Sequence, residues 1–230
     1  MTTMTRRTEP PVQVQVVQGR TADPDGVRAA MERWRRDRAP SVAGWLGATA
    51  GVTQDGRYIA LVRFESERAT KADSVRPEQH AWWADTSGLF DGEVTVRDGT
   101  AAYTHMPGDP HRAGFVQVIQ GRTSDRRRFR ELLRAEEPFW ACRPELLGEF
   151  VVEHGESAWT VALFCTSEDE VRAGELKAMP AEWQAVSAEQ QQLMIGEPEI
   201  FDLRDPWLFS AQGSRSAGSA RPQRFVMRRE

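Results

Sequence analysis

The chain is poor in several residue types that normally serve structural or chemical roles. Among its 230 residues there is no asparagine, and there are only two lysines and two cysteines. The cysteines, Cys142 and Cys165, are too few for a disulfide framework, which favours a reduced, cytoplasmic protein. No apolar run reaches the roughly 18 residues of a transmembrane helix. No apolar segment follows the two arginines near the N-terminus, so no secretory signal is expected.

Strong net charge and common cofactor motifs are also missing. The formal net charge is −4, so neither a nucleic acid nor an anionic membrane is expected as a partner. The chain has no GxGxxG, P-loop or GxSxG motif. Its four histidines, His80, His105, His111 and His154, lack the spacing of a structural zinc site. We therefore expect no cofactor and no metal, with haem ligation by His80 or His154 as a weaker alternative.

An internal repeat is the most informative feature that the sequence does contain. Residues 14–23 read VQVVQGRTAD and residues 116–125 read VQVIQGRTSD, so eight of ten positions agree at a separation of 102. Residues 58–67 and 159–168 share a pattern and a closing Ser-Glu. Residues 89–98 match 193–202 when one residue is inserted. Because the matches recur in the same order, the sequence predicts a tandem duplication of one structural unit.

Each unit is predicted to follow the order strand, helix, strand, strand, helix, strand. Residues 12–16 alternate valine with glutamine, which is typical of a half-buried strand. Asp23-Pro24 predicts a helix start, and Gly56 lies in a predicted hairpin turn. The expected elements are a strand from 12, a helix from 24 to 39, strands 44–53 and 57–65, helix 76–90 and strand 93–97, followed by strand 115–120, helix 125–137, strands 146–153 and 158–166, helix 180–193 and strand 199–203.

This element order defines the ferredoxin-like fold, an α+β unit with a four-stranded antiparallel sheet and both helices on one face. One unit leaves the other face of its sheet uncovered. We therefore expect two tandem units to pack sheet on sheet into an intramolecular pseudo-dimeric α/β barrel, as a monomer or within a homodimer. The predicted organisation is a flexible N-terminus (1–11), a first repeat (12–99), a linker (100–113), a second repeat (114–210) and a disordered basic tail (211–230).

On these features the chain resembles the dimeric α/β-barrel superfamily, in particular the antibiotic biosynthesis monooxygenase (ABM) type. The resemblance rests on the duplicated unit, on the strand that runs into Ser-Glu at 64–67 and on the aromatic second helix at 76–83, and it covers residues 12–207. It implies a ferredoxin-like ABM domain. Similar proteins include cofactor-independent monooxygenases, haem-degrading enzymes and many proteins of unassigned function. Several of these enzymes use an Asn, Trp, His set, which a chain without asparagine cannot complete.

His80 is the candidate catalytic residue. It lies on the predicted second helix beside Trp82 and Trp83, and the resemblance implies that ligands bind between the helices and the sheet. A neutral imidazole there can take a proton from an acidic phenol or enol, since its reference pKa is about 6.5. The structural alternative is a surface histidine on an amphipathic helix.

Four aromatic residues are the candidate substrate-binding set, namely Trp34, Trp82, Trp83 and Phe90. The alternative is that they simply form core. Trp140 and Trp183 offer a comparable set in the second unit, but Ala181 and Glu182 replace the position near His80, so we favour a site in the first unit.

Two glutamines at matching positions of the repeat, Gln15 and Gln117, are expected to pair with each other across the barrel. The residues leave two functions open. One is a cofactor-independent monooxygenase that acts on a small aromatic or polyketide-like substrate. The other is a non-catalytic protein that binds a small hydrophobic molecule or serves as a scaffold.

Overall fold

Nine strands of the computed structural model, which describes residues 11–211, form one sheet, and six α-helices accompany it. Apart from residues 11 and 211, the predicted flexible N-terminus and basic tail lie outside the described residues. The architecture is mixed α+β, and every strand pair in the sheet is antiparallel. Within the described range, no helix has both the length and the apolar character that crossing a membrane requires.

The predicted elements follow one another in the predicted order in each half. The first half contains β1 (Gln13–Arg20), α1 (Pro24–Asp37), β2 (Trp45–Val52), β3 (Arg57–Phe64), α2 (Glu67–Ser74), α3 (Pro77–Ser87) and β4 (Thr95–His105). The second half contains β5 (Phe115–Arg122), α4 (Arg126–Glu136), β6 (Leu146–His154), β7 (Ala158–Cys165), α5 (Glu168–Glu175), α6 (Ala181–Leu193), β8 (Glu199–Leu203) and β9 (Trp207–Ser210). The additions to the predicted order are one helix before the second predicted helix of each half (α2 and α5) and a ninth strand, β9, at the end. Short 3₁₀ helices span Ala39–Ser41, Pro110–Arg112 and Glu137–Cys142.

Side-chain caps start the matching helices of the two halves. The Asp23 carboxylate accepts from the backbone N–H of Gly26 at the start of α1, and Asp125 does the same for Arg128 at the start of α4. Ser66 caps α2 by accepting from Ala69. The sequence analysis did not predict α2, because its polar stretch has no apolar periodicity and only the Ser66 cap indicates it.

The fourth strand is longer than predicted. It was expected to end at Arg97, with a linker from residue 100, but β4 continues to His105. Its first part, Thr95–Thr100, pairs with β1, and its last part, Thr100–His105, pairs with β6 of the second half. The backbone groups at the edge of β6 are satisfied by this pairing, so the start of the expected linker is strand.

The two outermost strands of the sheet are consecutive in the chain. The strand order is β8-β5-β7-β6-β4-β1-β3-β2-β9, and only residues 204–206 separate β8 from β9. Strand β8 pairs with β5 of the second half, and β9 pairs with β2 of the first half. Residues 199–210 therefore cross from one half to the other, as β4 does.

One buried cluster joins the two halves. Alternate residues of β1, β3, β5 and β7 contribute to it, and none of the side chains named here is more than 4% exposed. They are Val14, Val16, Ile59, Leu61, Val116, Val118, Ala162 and Phe164. Each fully buried aliphatic side chain of this kind stabilises the fold by about 1.5–3 kcal/mol. The opposite face of the first-half strands packs against the helices.

The expected pairing of Gln15 with Gln117 is wrong. Gln15 donates to the Asp98 carboxylate at 3.2 Å, and Gln117 donates to Asp202 at 2.9 Å. A different pair of equivalent glutamines joins the halves, because Gln18 donates to Gln120. Because strand side chains alternate between faces, Gln18 lies on the same face as the buried Val14 and Val16, whereas Gln15 lies on the helix side.

Candidate functional site

A cavity of about 370 Å³ lies between the helix-facing side of the first-half strands and helices α1, α2 and α3. Pockets of roughly 300–1,000 Å³ are typical of sites that bind small molecules. Small side chains on the strands, Ala48, Ala50 and Ala60, make the room that larger residues would fill. The remaining lining residues include Gln15, Val17, Met31, Trp34, Trp45, Tyr58, Val62, Asp73, Gln79, His80, Trp82, Trp83 and Phe209.

Tryptophan rings form much of the cavity wall. The ring centroid of Trp34 lies 5.3 Å from Trp45 and 6.3 Å from Trp82, both with edge-to-face geometry. Trp82 in turn lies 5.9 Å from Trp83. The structure thus brings the candidates Trp34, Trp82 and Trp83 together at one cavity. Trp45 was not singled out from the sequence, where only its position at the start of a strand could have indicated it.

Phe90, the fourth aromatic candidate, does not line the cavity among the described residues. It is 8% exposed, and its ring lies 5.2 Å from Tyr58 and 6.0 Å from Trp83. It also sits close to Gly19, where a Cβ would lie 3.0 Å from the Phe90 ring. Phe90 is therefore core that supports the cavity wall from behind.

His80 lies at the cavity, but its side chain is exposed and already holds a hydrogen bond. Its Nε2 lies 2.8 Å from the carbonyl oxygen of Ser74. A carbonyl oxygen only accepts, so Nε2 carries the proton and Nδ1 is left as the basic nitrogen of the neutral ring. The bond ties the start of α3 to the end of α2.

The second half has a counterpart of this bond. Helices α3 and α6 can be aligned by the backbone hydrogen bonds that follow them. The N–H of Asp91 donates to the carbonyl of Arg20, and the N–H of Ile195 donates to the carbonyl of the equivalent Arg122. That match places Gln184, rather than Ala181 or Glu182, at the position of His80. Gln184 donates to the carbonyl of Met179 at 2.9 Å, much as His80 donates to Ser74.

A buried acidic residue, Asp73, forms the polar part of the wall. It is 7% exposed, and its Oδ1 lies 3.8 Å from Nη2 of Arg38, whose side chain is 13% exposed. Within residues 11–211, Oδ1 of Asp73 and Nε and Nη2 of Arg38 have no hydrogen-bond partner. Burial raises the pKa of Asp73, although the positive charges of Arg38 and Arg76 act in the opposite direction. Sequence reasoning missed Asp73 because it missed α2.

The indole N–H groups of the cavity tryptophans are further polar groups beside the cavity. Nε1 of Trp34 donates to Oε1 of Gln79 at 2.9 Å. Nε1 of Trp45 and Nε1 of Trp82 are buried and have no acceptor in the part of the chain that the structure describes. Buried donors without an acceptor are uncommon in folded proteins, so two beside one cavity favour a ligand that carries acceptor oxygens.

Acidic residues occupy the matching positions of the second half. Strand register places Glu149 opposite Leu163, as Ala48 lies opposite Val62. Glu136 matches Trp34 when the helices are aligned on their Asp caps. Burial, together with the nearby negative charges of Glu136 and Glu137, raises the pKa of Glu149 to about 8. Acidic side chains therefore stand in the second half at the positions where Ala48 and Trp34 line the first-half cavity.

No group of three or more His, Cys, Asp or Glu side chains within residues 11–211 is placed to hold a metal ion. His154, considered from the sequence as a haem ligand, has both ring nitrogens engaged. Its Nδ1 lies 3.2 Å from the Asp98 carbonyl and its Nε2 lies 3.0 Å from Oγ1 of Thr160.

Solved structures with a similar fold cover nearly the whole chain. An anthrone oxidase-like protein matches 92% of this chain and 98% of its own, with a TM-score of 0.65 and 13% identity. A proposed monooxygenase from Lactobacillus acidophilus matches 86% and 99%, with a TM-score of 0.63 and 12% identity. One from Fusobacterium nucleatum matches 88% and 96%, with a TM-score of 0.69 and 8% identity.

These likenesses, all at low identity, show the fold. The resemblance expected from the sequence is thereby confirmed for the fold, which this chain shares with an anthrone oxidase-like structure and with two structures described as monooxygenases. No family model and no curated protein matches this chain in sequence.

Proposed function

We propose that this chain binds a small aromatic molecule in the first-half cavity and catalyses its oxidation by dioxygen without a bound cofactor. The observation that carries the proposal is a cavity of about 370 Å³ walled by tryptophans with a buried carboxylate beside them. Apolar aromatic walls with a few polar groups are typical of sites that bind small organic ligands. Structures of similar fold carry names that refer to anthrone oxidase-like and monooxygenase proteins, which supports the same class of chemistry.

The chemistry needs a proton acceptor on the cavity wall. An aromatic substrate with a reactive methylene, R–CH₂–R′, reacts with O₂ to give R–CO–R′ and H₂O, so one oxygen atom enters the product and the other leaves as water. Removing a proton from an acidic phenol or enol makes the electron-rich anion that can reduce O₂. His80, through Nδ1, and Asp73 are the wall side chains that can accept this proton.

The second candidate function is binding without catalysis. It is favoured by the exposure of His80 and by the hydrogen bond that already occupies its Nε2. The two functions share the cavity and differ in turnover, so one experiment separates them.

The proposed arrangement behind this site is two duplicated ferredoxin-like units that close into a barrel within one chain. Three observations support it: the repeat shared by residues 14–23 and 116–125, the pairing of residues 199–210 with both halves, and the Gln18–Gln120 bond between equivalent residues. The proposed repeats are residues 12–99 and 114–210, and the segment between them begins with the last part of β4. A monomer of 25.9 kDa in native mass spectrometry is expected, and a dimer that dissociates into unfolded chains contradicts it.

The binding proposal is tested by filling the cavity. Replacing Ala48 by Leu places a larger side chain at the strand wall of the cavity. The matched control is Glu149→Leu, which makes the same residue at the equivalent place in the second half. With 1,8-dihydroxyanthrone as probe, tryptophan quenching measures binding and an oxygen electrode measures turnover.

We expect wild-type protein and Glu149→Leu to quench alike and Ala48→Leu to bind at least about 10-fold more weakly, a difference of about 1.4 kcal/mol. Equal binding by Ala48→Leu and wild type places the probe elsewhere and contradicts the site. Binding without oxygen consumption by wild type supports the non-catalytic alternative.

A further inference from the structure

We propose that Asp73, held by Arg38, is the catalytic residue that accepts the substrate proton, and that His80 is a positioning residue. This inference rests on the proposed function, because it assigns a role within the same cavity. It comes from a juxtaposition that the sequence does not show, since Arg38 follows α1 and Asp73 lies in the last turn of α2.

The placement of the Asp73 carboxylate fits the role. Its side chain lines the cavity and is only 8% exposed. Oδ1 lies next to the Arg38 guanidinium, which leaves Oδ2 as the oxygen available to a ligand hydroxyl. Even so, Oδ1 has no hydrogen-bond partner among residues 11–211, because the Arg38 nitrogen lies 3.8 Å away. A buried polar group without a partner is a common mark of a site that is completed by its ligand.

The Arg38 cation lies beside an anion both before and after the proton transfer. Before transfer the site holds the Arg38 cation, the Asp73 anion and a neutral phenol. The phenol O–H bond then breaks, an O–H bond forms on Asp73 and the electron pair stays on the phenolate oxygen. The site keeps the same net charge, and the Arg38 cation, which lies beside Asp73, also attracts the phenolate. Such stabilisation is stronger in a site from which water is excluded.

The environment of Asp73 moves its basicity toward that of a phenol. Burial raises the pKa of its carboxyl group, whereas Arg38 and Arg76 lower it. Two other titratable side chains line the cavity: His80 on the neighbouring helix α3 and the buried Tyr58 on β3. A base whose pKa lies closer to that of the substrate transfers the proton with a smaller uphill step.

The hydrogen bond and the exposure of His80 favour a positioning role for this residue. Its hydrogen bond reaches the carbonyl of Ser74, the residue directly after Asp73. It therefore holds the last turn of α2 against α3 and fixes where the Asp73 side chain enters the cavity. Gln184, which has no basic nitrogen, stands at the matching position of the second half and donates to the carbonyl of Met179, in the segment between α5 and α6.

The test compares Asp73→Asn with His80→Gln in the full chain. Asparagine keeps the shape of Asp73 and removes its proton affinity, and glutamine at position 80 copies the residue of the second half. Turnover of 1,8-dihydroxyanthrone gives kcat and KM. The colour of bound 4-nitrophenol, which is yellow only as phenolate, reports proton transfer without any oxidation.

Asp73→Asn is expected to lower kcat by about 100-fold or more, the usual contribution of a general base, with KM changed only a few fold. His80→Ala, which removes the bond to the Ser74 carbonyl, is expected to lower kcat, and His80→Gln, which can remake that bond, is expected to restore most of the loss. Wild type and His80→Gln are expected to raise the phenolate fraction of bound 4-nitrophenol, and Asp73→Asn is not. Unchanged kcat or an unchanged phenolate fraction in Asp73→Asn overturns the role of Asp73.

A loss of activity in Asp73→Asn can come from unfolding or from the missing base, and a double variant distinguishes these two causes. Asp73→Asn leaves a buried, unpaired Arg38 and can unfold for that reason alone. The double variant Arg38→Met, Asp73→Asn removes both charges, and we expect it to fold, to bind the probe and to lack turnover. A double variant that turns over overturns the role of Asp73. A wild-type protein that binds neither probe overturns the proposed function itself.

Discussion

Gln18 and Gln120, residues separated by 102 positions, are joined by a hydrogen bond in which Nε2 of Gln18 donates to Oε1 of Gln120 at 2.9 Å. This bond is the first of three successive side-chain hydrogen bonds, each donated in the same direction. Gln120 donates to Oγ1 of Thr160 at 3.0 Å, and Thr160 lies 3.0 Å from Nε2 of His154. Because Nδ1 of His154 faces a carbonyl and must donate, Nε2 accepts from the Thr160 hydroxyl.

Breaking this chain at its centre is expected to destabilise the protein. Gln120→Leu leaves the amide of Gln18 without its acceptor in a largely buried place, which costs about 1–3 kcal/mol. The control is Gln15→Leu, whose bond to Asp98 is exposed and whose loss costs less than about 1 kcal/mol. Urea unfolding measures both. Equal losses in the two variants show that the inter-half bond has no special weight.

The neutral state of His154 predicts a loss of stability in acid. Burial lowers the pKa of His154, with Arg97 and Arg126 acting in the same direction. The unfolded chain then binds a proton near pH 6.5 that the folded chain refuses, so stability falls as the pH drops below about 6.5. Thermal melts from pH 8 to pH 5 should show a smaller acid loss in His154→Gln than in wild type. The same acid loss in both proteins contradicts the assignment.

Glu149 predicts the opposite trend with pH. Its pKa is raised to about 8 in the folded protein, mainly by burial, against a usual value of 4.5. The folded chain therefore holds a proton that the unfolded chain releases, and stability falls as the pH rises from about 4.5 to 8.

Replacing Glu149 by Ala, which gives the second half the residue of Ala48, should raise the melting temperature more at pH 8 than at pH 5. The exposed Glu156→Ala is the control and should show no such pH-dependent gain. If Glu149→Ala raises the melting temperature equally at both pH values, the increase comes from packing and not from ionisation.

Substitutions at Phe90 and Trp82 distinguish a core residue from a residue that lines the cavity. Phe90→Ala removes a buried ring and is expected to cost about 3–5 kcal/mol of stability. Trp82→Phe keeps an aromatic ring at the cavity and removes an N–H that has no acceptor among the described residues, so it should cost less than about 1.5 kcal/mol. Binding of 1,8-dihydroxyanthrone should weaken in Trp82→Phe. Unaltered binding there argues against contact between Trp82 and the ligand.

Sequence periodicity was sufficient for the order of the predicted elements and for several of their boundaries, although it missed α2, α5 and β9. Valine and glutamine alternate in β1 and β5 because one strand face is buried, and Asp23 and Asp125 cap their helices through contacts only three residues long. Sequence patterns also placed Trp34 on one helix, α1, and Trp82 and Trp83 on another, α3. These are local relationships, which neighbouring residues decide.

Tertiary structure decided everything that depends on residues distant in the chain. Strand β4 runs on to His105 because the edge of β6 offers it hydrogen-bond partners. Gln18 rather than Gln15 reaches the other half because the register of two packed strands selects one face. The Arg38–Asp73 pair exists because α1 and α2 end beside the same cavity. Local periodicity carries no information about such meetings, since they arise only when separate elements pack against one another.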